Sequence, residues 1–215
     1  MSRILYLSLL LSAFIGYTQQ NIDFRNEVLA IQQKYDTLWD SSKETVVFTG
    51  SSSIRTWKNL ESMFPNHQII NTGFGGSESL DLLGYHHELI LRYNPKKVFI
   101  YEGDNDIARG VSIKNIMTTT RKIVQKLKEE NKDIQIVLIS TKPSIVRWHL
   151  KKKYLRLNKK IEKLCRNDPK VFYADVWTPM AHDNKLRKDI FMKDGLHMND
   201  RGYSLWFSVI KPFMY

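Results

Sequence analysis

Five short apolar runs, each separated from the next by a stretch that has helical spacing or ends in turn residues, constrain this chain more than any other feature. They cover residues 45–49, Gln68–Asn71, Lys97–Tyr101, Ile134–Ser140 and Val171–Asp175. Their length and their content of Val, Ile, Phe and Tyr read as short buried strands. The segments between and around them read as helices. Phe24, Val28, Leu29, Ile31, Tyr35 and Leu38 space out a helix over residues 21–39, and Leu80 to Ile90 suggest another, ended before Asn94-Pro95 by the restriction proline places on its predecessor. Residues 113–130, 151–164 and 201–210 supply three more. Strands alternating with helices at this spacing predict an α/β fold, a three-layer α/β/α sandwich around a five-stranded parallel sheet.

A chain of 215 residues, 42% apolar and 26% charged, is long enough for one domain with a substantial core, and residues 21–215 are expected to form it. The first eighteen residues differ: Arg3 is the only charge before Asp23, and Ile4 to Tyr17 is mostly apolar. A positive start, a short apolar stretch and a polar exit are the pattern of a signal peptide, and the stretch is short for a membrane span. The expectation is a protein secreted or delivered to the periplasm, cut near Thr18 or Gln19, with no stable membrane span afterwards. A formal net charge of +11 suits polyanionic surroundings. Its richest segment, Lys151 to Leu164, also spaces Tyr154, Leu157, Ile161 and Leu164 along one helical face, so the lysines read as a solvated opposite face. No nucleic-acid reader motif accompanies the charge, and no nucleic-acid partner is expected. The lone Cys165 reads as a buried thiol.

The strand ends carry the chemistry. The first runs into Gly50-Ser51-Ser52-Ser53, the second into Gly73-Phe74-Gly75-Gly76, the third into Gly103-Asp104-Asn105-Asp106, and a late loop holds Asp194-Gly195-Leu196-His197. In open α/β sheets ligands bind outside the carboxyl ends of the strands. If these ends converge, they bring together a hydroxyl, backbone N–H donors, a carboxamide and an acid with an imidazole, which is the inventory acyl transfer needs. A helical turn over Asp194–His197 would let both side chains face one way.

These four blocks, spanning residues 50–197, resemble those of the SGNH (GDSL-type) hydrolase superfamily, in which Ser, Gly, Asn and His come from four separated motifs in this order. The resemblance implies a flavodoxin-like sandwich and hydrolysis of esters with no metal and no cofactor. It implies Ser52 as nucleophile, His197 as general base and acid, Asp194 as its partner, and an oxyanion hole from the N–H groups of Ser52 and Gly76 and the amide of Asn105. Ser51 stands where the family usually has aspartate, so three adjacent serines compete for the first role, with Ser51 and Ser53 read as turn or helix-cap residues.

Other candidates are weaker. His86-His87-Glu88 and His182-Asp183 match no standard metal-ligand spacing, and Asp104 and Asp106 read as hydrogen-bonded within their loop. Arg147 and Trp148, after the fourth strand, are expected to shape the substrate pocket, with Arg147 meeting an anionic group, or else to form a stacked surface pair. The Gly-x-Ser-x-Gly elbow of α/β-hydrolases is absent. The reading is a secreted serine esterase acting on small acyl esters, acetyl first, on a small-molecule or glycan ester. Lysophospholipid or thioester hydrolysis is the alternative within the enzyme class, and an inactive glycan-binding relative the alternative outside it.

Overall fold

Successive residues of a strand point to opposite faces, so a run such as Val46-Val47-Phe48 needs an apolar layer on each side. The structure, a computed structural model, describes residues 23–182 and 185–215 and provides both layers. In chain order the elements are α1 (Arg25–Asp36), β1 (Thr45–Gly50), α2 (Ser52–Arg55), α3 (Leu60–Met63), β2 (Gln68–Gly73), α4 (Ser79–Gly84), α5 (His86–Leu89), β3 (Lys97–Tyr101), α6 (Asp104–Ala108), α7 (Ile113–Glu130), β4 (Gln135–Ile139), α8 (Lys151–Cys165), β5 (Val171–Ala174), α9 (Trp177–Met180) and α10 (Asp200–Ile210). The five strands form one parallel sheet in the order β2-β1-β3-β4-β5.

Val47, Ile70, Val98 and Ile136 face a layer that includes Val28 of α1, Leu82 of α4, Leu127 of α7 and Leu157 of α8. Val46, Phe48, Phe99 and Val137 face the other, with Ile54, Trp57, Trp206 and Ile210. Phe48 and Phe99 stack across adjacent strands with centroids 4.3 Å apart. Each such side chain, fully buried, contributes about 1.5–3 kcal/mol. The expected three-layer sandwich is therefore the one found. From β1 the chain passes to β2 on one side and then to β3 on the other, so the crevice between the carboxyl ends of β1 and β3 is the topological switch point. Two of the four sequence blocks open onto it.

Some local expectations differ from the structure. The helix over Leu80–Ile90 is broken at Gly84-Tyr85 into α4 and α5, and a 3₁₀ turn follows at Leu91–Tyr93. Leu80, counted there as apolar spacing, is 66% exposed. The segment after β3, read as a loop, is the short helix α6. The leader assigned to residues 1–18 lies outside the described residues, and no described helix is long and apolar enough to cross a membrane.

Candidate active site

The end of β1 is shaped by Gly50. Its φ is +120°, and a Cβ there would lie 2.1 Å from the Tyr101 carbonyl oxygen, so a residue with a side chain would force β1 and β3 apart. Ser51 follows in extended conformation, donating its N–H to that same carbonyl at 3.1 Å. Ser52 is then the first residue of α2, where a helix leaves its N–H groups without intrahelical partners.

Ser52 Oγ lies 2.9 Å from His197 Nε2, and His197 Nδ1 lies 2.6 Å from Asp194 Oδ2. The other Asp194 oxygen accepts the N–H groups of Leu196 and His197, each at 2.9 Å. Burial works against ionisation of Asp194, but the hydrogen bonds from the imidazole and the two N–H groups outweigh it and hold the carboxyl at about 2. An ionised carboxylate can only accept, so Nδ1 carries the proton and the Nε2 lone pair faces the Ser52 hydroxyl. Asp194–His197 is an irregular turn rather than a helical one. Gly195 takes φ +63°, its N–H donates to the Met192 carbonyl, and the Met192 N–H donates to the His197 carbonyl. The side chains of Asp194 and His197 meet because the turn folds back, and the i to i+3 spacing works without a helix. Neither Ser51 nor Ser53 bonds to the imidazole: Ser51 Oγ accepts from Asn105, and the Ser53 carbonyl accepts the Tyr203 hydroxyl.

Gly76 sits in the turn after β2 at φ +79°, with nothing nearer to a would-be Cβ than Arg109 at 3.8 Å. The backbone angle, not lack of space, is what favours glycine there. Among the described residues, no acceptor receives the N–H of Ser52 or of Gly76. Asn105, on the first turn of α6, is fully engaged. Its Nδ2 donates to Ser51 Oγ at 2.8 Å and to the Ser77 carbonyl at 2.9 Å, and its Oδ1 accepts from Arg147 at 3.0 Å. A developing oxyanion is a stronger acceptor than a neutral hydroxyl, so one amide hydrogen can turn to it from Ser51.

The two aspartates beside Asn105 bond across elements rather than within their loop. Asp106 accepts the N–H and hydroxyl of Ser79, tying α6 to the start of α4. Asp104 accepts from the hydroxyls of Tyr101 and Tyr154 and from Arg147, and Lys142 Nζ stands 3.6 Å away. Burial opposes ionisation of Asp104, yet Lys142 and Arg147 hold its carboxyl below the usual range. Glu102, buried one residue past β3, moves the other way: desolvation and the nearby Asp106 push it well above the ordinary value, despite a hydrogen bond from Ser77.

Arg147 and Trp148 are placed differently from the expectation of a pocket wall. The Arg147 guanidinium turns inward onto Asp104 and Asn105. Trp148 stacks on Trp177 with centroids 6.1 Å apart, with Lys151 over its ring, so the two are not a stacked pair with each other. His86 Nδ1 is taken by the Leu83 carbonyl. Among the described residues no three His, Cys, Asp or Glu side chains gather as a metal site; Asp183 is outside them.

The model of the GDSL-like Lipase/Acylhydrolase family matches residues 37–205. No curated protein matches the chain. Among solved structures, it is similar to one provisionally described as a platelet activating factor from Streptococcus pneumonia, at 23% identity and TM-score 0.76, covering 88% of this chain and 94% of that one. It is also similar to a GDSL-like lipase from Bacteroides thetaiotaomicron, at 23% identity and TM-score 0.71, covering 85% and 96%. A catalytic mutant of an acetylxylan esterase from Geobacillus stearothermophilus matches at 15% identity and TM-score 0.65, covering 79% and 93%. At these identities the likenesses establish a shared fold.

Proposed function

Because the chain belongs to the GDSL-like lipase/acylhydrolase family, and so is an ester-hydrolysing serine hydrolase, we propose that Ser52, His197 and Asp194 cleave small acyl esters, acetyl esters first. The observation that carries this reading is the continuous hydrogen-bonded line from Ser52 Oγ through the imidazole to Asp194. His197 Nε2 takes the hydroxyl proton as Ser52 Oγ bonds to the carbonyl carbon. Asp194 stabilises the imidazolium that forms and keeps its ring aimed. The N–H groups of Ser52 and Gly76 and one Asn105 amide hydrogen receive the charge on the carbonyl oxygen. As the tetrahedral intermediate collapses, the imidazolium protonates the leaving alcohol, and an acyl group remains on Ser52. Water then repeats the sequence, giving up a proton to His197 and releasing the acid.

The preference for acetyl on a glycan is supported by the fold shared with an acetylxylan esterase and by the positive charge of the chain. Exposed Ile145, Val146 and Met192, close in sequence or space to the catalytic turn, favour the second reading, a longer acyl chain such as that of a lysophospholipid or thioester. A series of p-nitrophenyl esters and sugar acetates separates them. A short-acyl site loses rate from acetyl to octanoyl, whereas a lipid groove gains about 0.8 kcal/mol per buried methylene. Glycan binding with no turnover of any ester would point instead to an inactive binding relative. Export directed by residues 1–18 completes the proposal; a secreted product whose mass still includes those residues would contradict it.

A further inference from the structure

A buried cluster of charge behind the oxyanion hole has no part in the reaction as written above. Lys142, Asp104 and Arg147 lie together with side chains 1%, 6% and 19% exposed. Ionic groups withdrawn from water this far are unfavourable unless their hydrogen bonds are complete, and the bonds found lead in two directions. Arg147 spans Asp104 Oδ1 at 2.6 Å and Asn105 Oδ1 at 3.0 Å. Lys142 Nζ donates at 2.8 Å to the carbonyl of Leu196, the residue before His197.

Resting on the reading of Asn105 as an oxyanion donor, we infer that Arg147 and Lys142, joined through Asp104, are positioning residues that set the Asn105 amide and the His197 turn from one buried brace. The argument turns on what a guanidinium can do. It has five donors and no acceptor, so the Asn105 atom facing it must be oxygen. The amide nitrogen is thereby turned toward Ser51 and Ser77. Without Arg147, only the Ser77 carbonyl opposes a half-turn of the amide, and a half-turned amide presents an oxygen where the reaction develops negative charge. The Lys142 arm acts on the other half of the site. By capping the Leu196 carbonyl, it fixes the peptide whose neighbour carries the imidazole. Neither cation touches substrate in this assignment, which separates it from the expectation that Arg147 meets an anionic group.

The test uses the full chain and the variants Arg147→Met, Arg147→Lys and Lys142→Met, with Ser52→Ala and Asn105→Ala as references. On p-nitrophenyl acetate, Arg147→Met is expected to lower kcat about ten- to a hundredfold with KM within about twofold, less than the loss from removing an oxyanion donor outright. Adding guanidinium ion should restore part of it, and the combined Arg147→Met/Asn105→Ala variant should be no slower than Asn105→Ala. The Asn105 side-chain amide resonances, assigned by their absence in Asn105→Ala, should shift in Arg147→Met and return toward their place in Arg147→Lys. Lys142→Met should move the backbone amide resonances of Leu196 and His197. A rise in KM at constant kcat would make Arg147 a substrate contact and overturn the inference, as would unmoved Asn105 resonances in a folded Arg147→Met protein. The resonances decide it even if Ser52→Ala keeps its turnover, an outcome that would remove the proposed mechanism and leave the brace to be judged by itself.

Discussion

The two aspartates of the site are held ionised by opposite means. Asp194, its side chain 46% exposed, sits on a tight turn, and hydrogen bonds from that turn pull its carboxyl down. Asp104 is sealed behind the oxyanion side and ionised because two cations face it. The proposed acid–base half of the site is thus a surface turn with local bonds, tied to the body through Gly195 and Leu196: the Gly195 carbonyl receives the N–H groups of Ile145 and Val146, and the Leu196 carbonyl receives Lys142. The proposed oxyanion half is built into the sheet and core, where every polar group must find a partner or destabilise the fold. A residue in the first half can be lost at little cost to stability, whereas one in the second carries both stability and rate.

The largest expected effect tests the exposed half. His197→Ala should lower kcat by at least about 10⁴-fold while the thermal midpoint stays within about 2 °C, because the side chain is half-buried and its loss opens no core cavity. A large fall in the midpoint would erase the contrast. Next comes Lys142→Met, which leaves Asp104 with one cation instead of two. Breaking a buried pair by removing one partner costs about 3–5 kcal/mol, to be read from the urea midpoint at unchanged slope. A cost under about 1 kcal/mol would mean that the brace is dispensable. Asn105→Ala should cost about 10²–10³-fold in kcat, with some stability, since it strips Arg147 and Ser77 of a partner each.

The pH response separates the two halves more finely. Asp194 has a folded value of about 2 against an ordinary 3.8, so its contribution to stability is complete above the ordinary value and is lost as pH falls toward about 2. It stays ionised down to nearly that point, so the Asp194 carboxyl should add no protonation step of its own to the acid limb of kcat/KM within the ordinary carboxylate range. Two coupled protonations there would contradict this assignment. The smallest effect belongs to neither half: Arg166→Ala, removing an exposed pair with Glu162 on α8, should change stability by no more than about 0.5 kcal/mol.

What the sequence made legible follows from the same contrast. The strands are continuous apolar runs, so β3 and β4 fall within a residue or two of the expectation, and the chemical residues sit at their ends because the fold places ligands there. The break between α4 and α5 was hidden because Leu82, Leu83, Leu89 and Ile90 keep helical spacing across Gly84, and spacing alone does not register an interruption. Arg147 follows the fourth strand, a position that reads as overlooking the substrate pocket, and nothing in the local spacing shows that it and Lys142 turn inward onto a buried carboxylate. Their partner Asp104 lies some forty residues earlier, and only the sheet order brings it beside them. Ser51 reads as a turn or helix-cap residue and does stand at the start of α2, but its hydroxyl accepts from Asn105, a contact between the ends of β1 and β3 that pairing within the sheet creates.

The central claim is that the hydroxyl of Ser52 carries the acyl group between the two halves of the reaction. Acid-quenching the enzyme during turnover of p-nitrophenyl acetate and mapping the digest by mass spectrometry reads it directly. An acetyl group localised by fragmentation to Ser52, and lost in Ser52→Ala together with turnover, is the predicted result. An acetyl group on Ser51 or Ser53, or undiminished turnover in Ser52→Ala, would contradict the account.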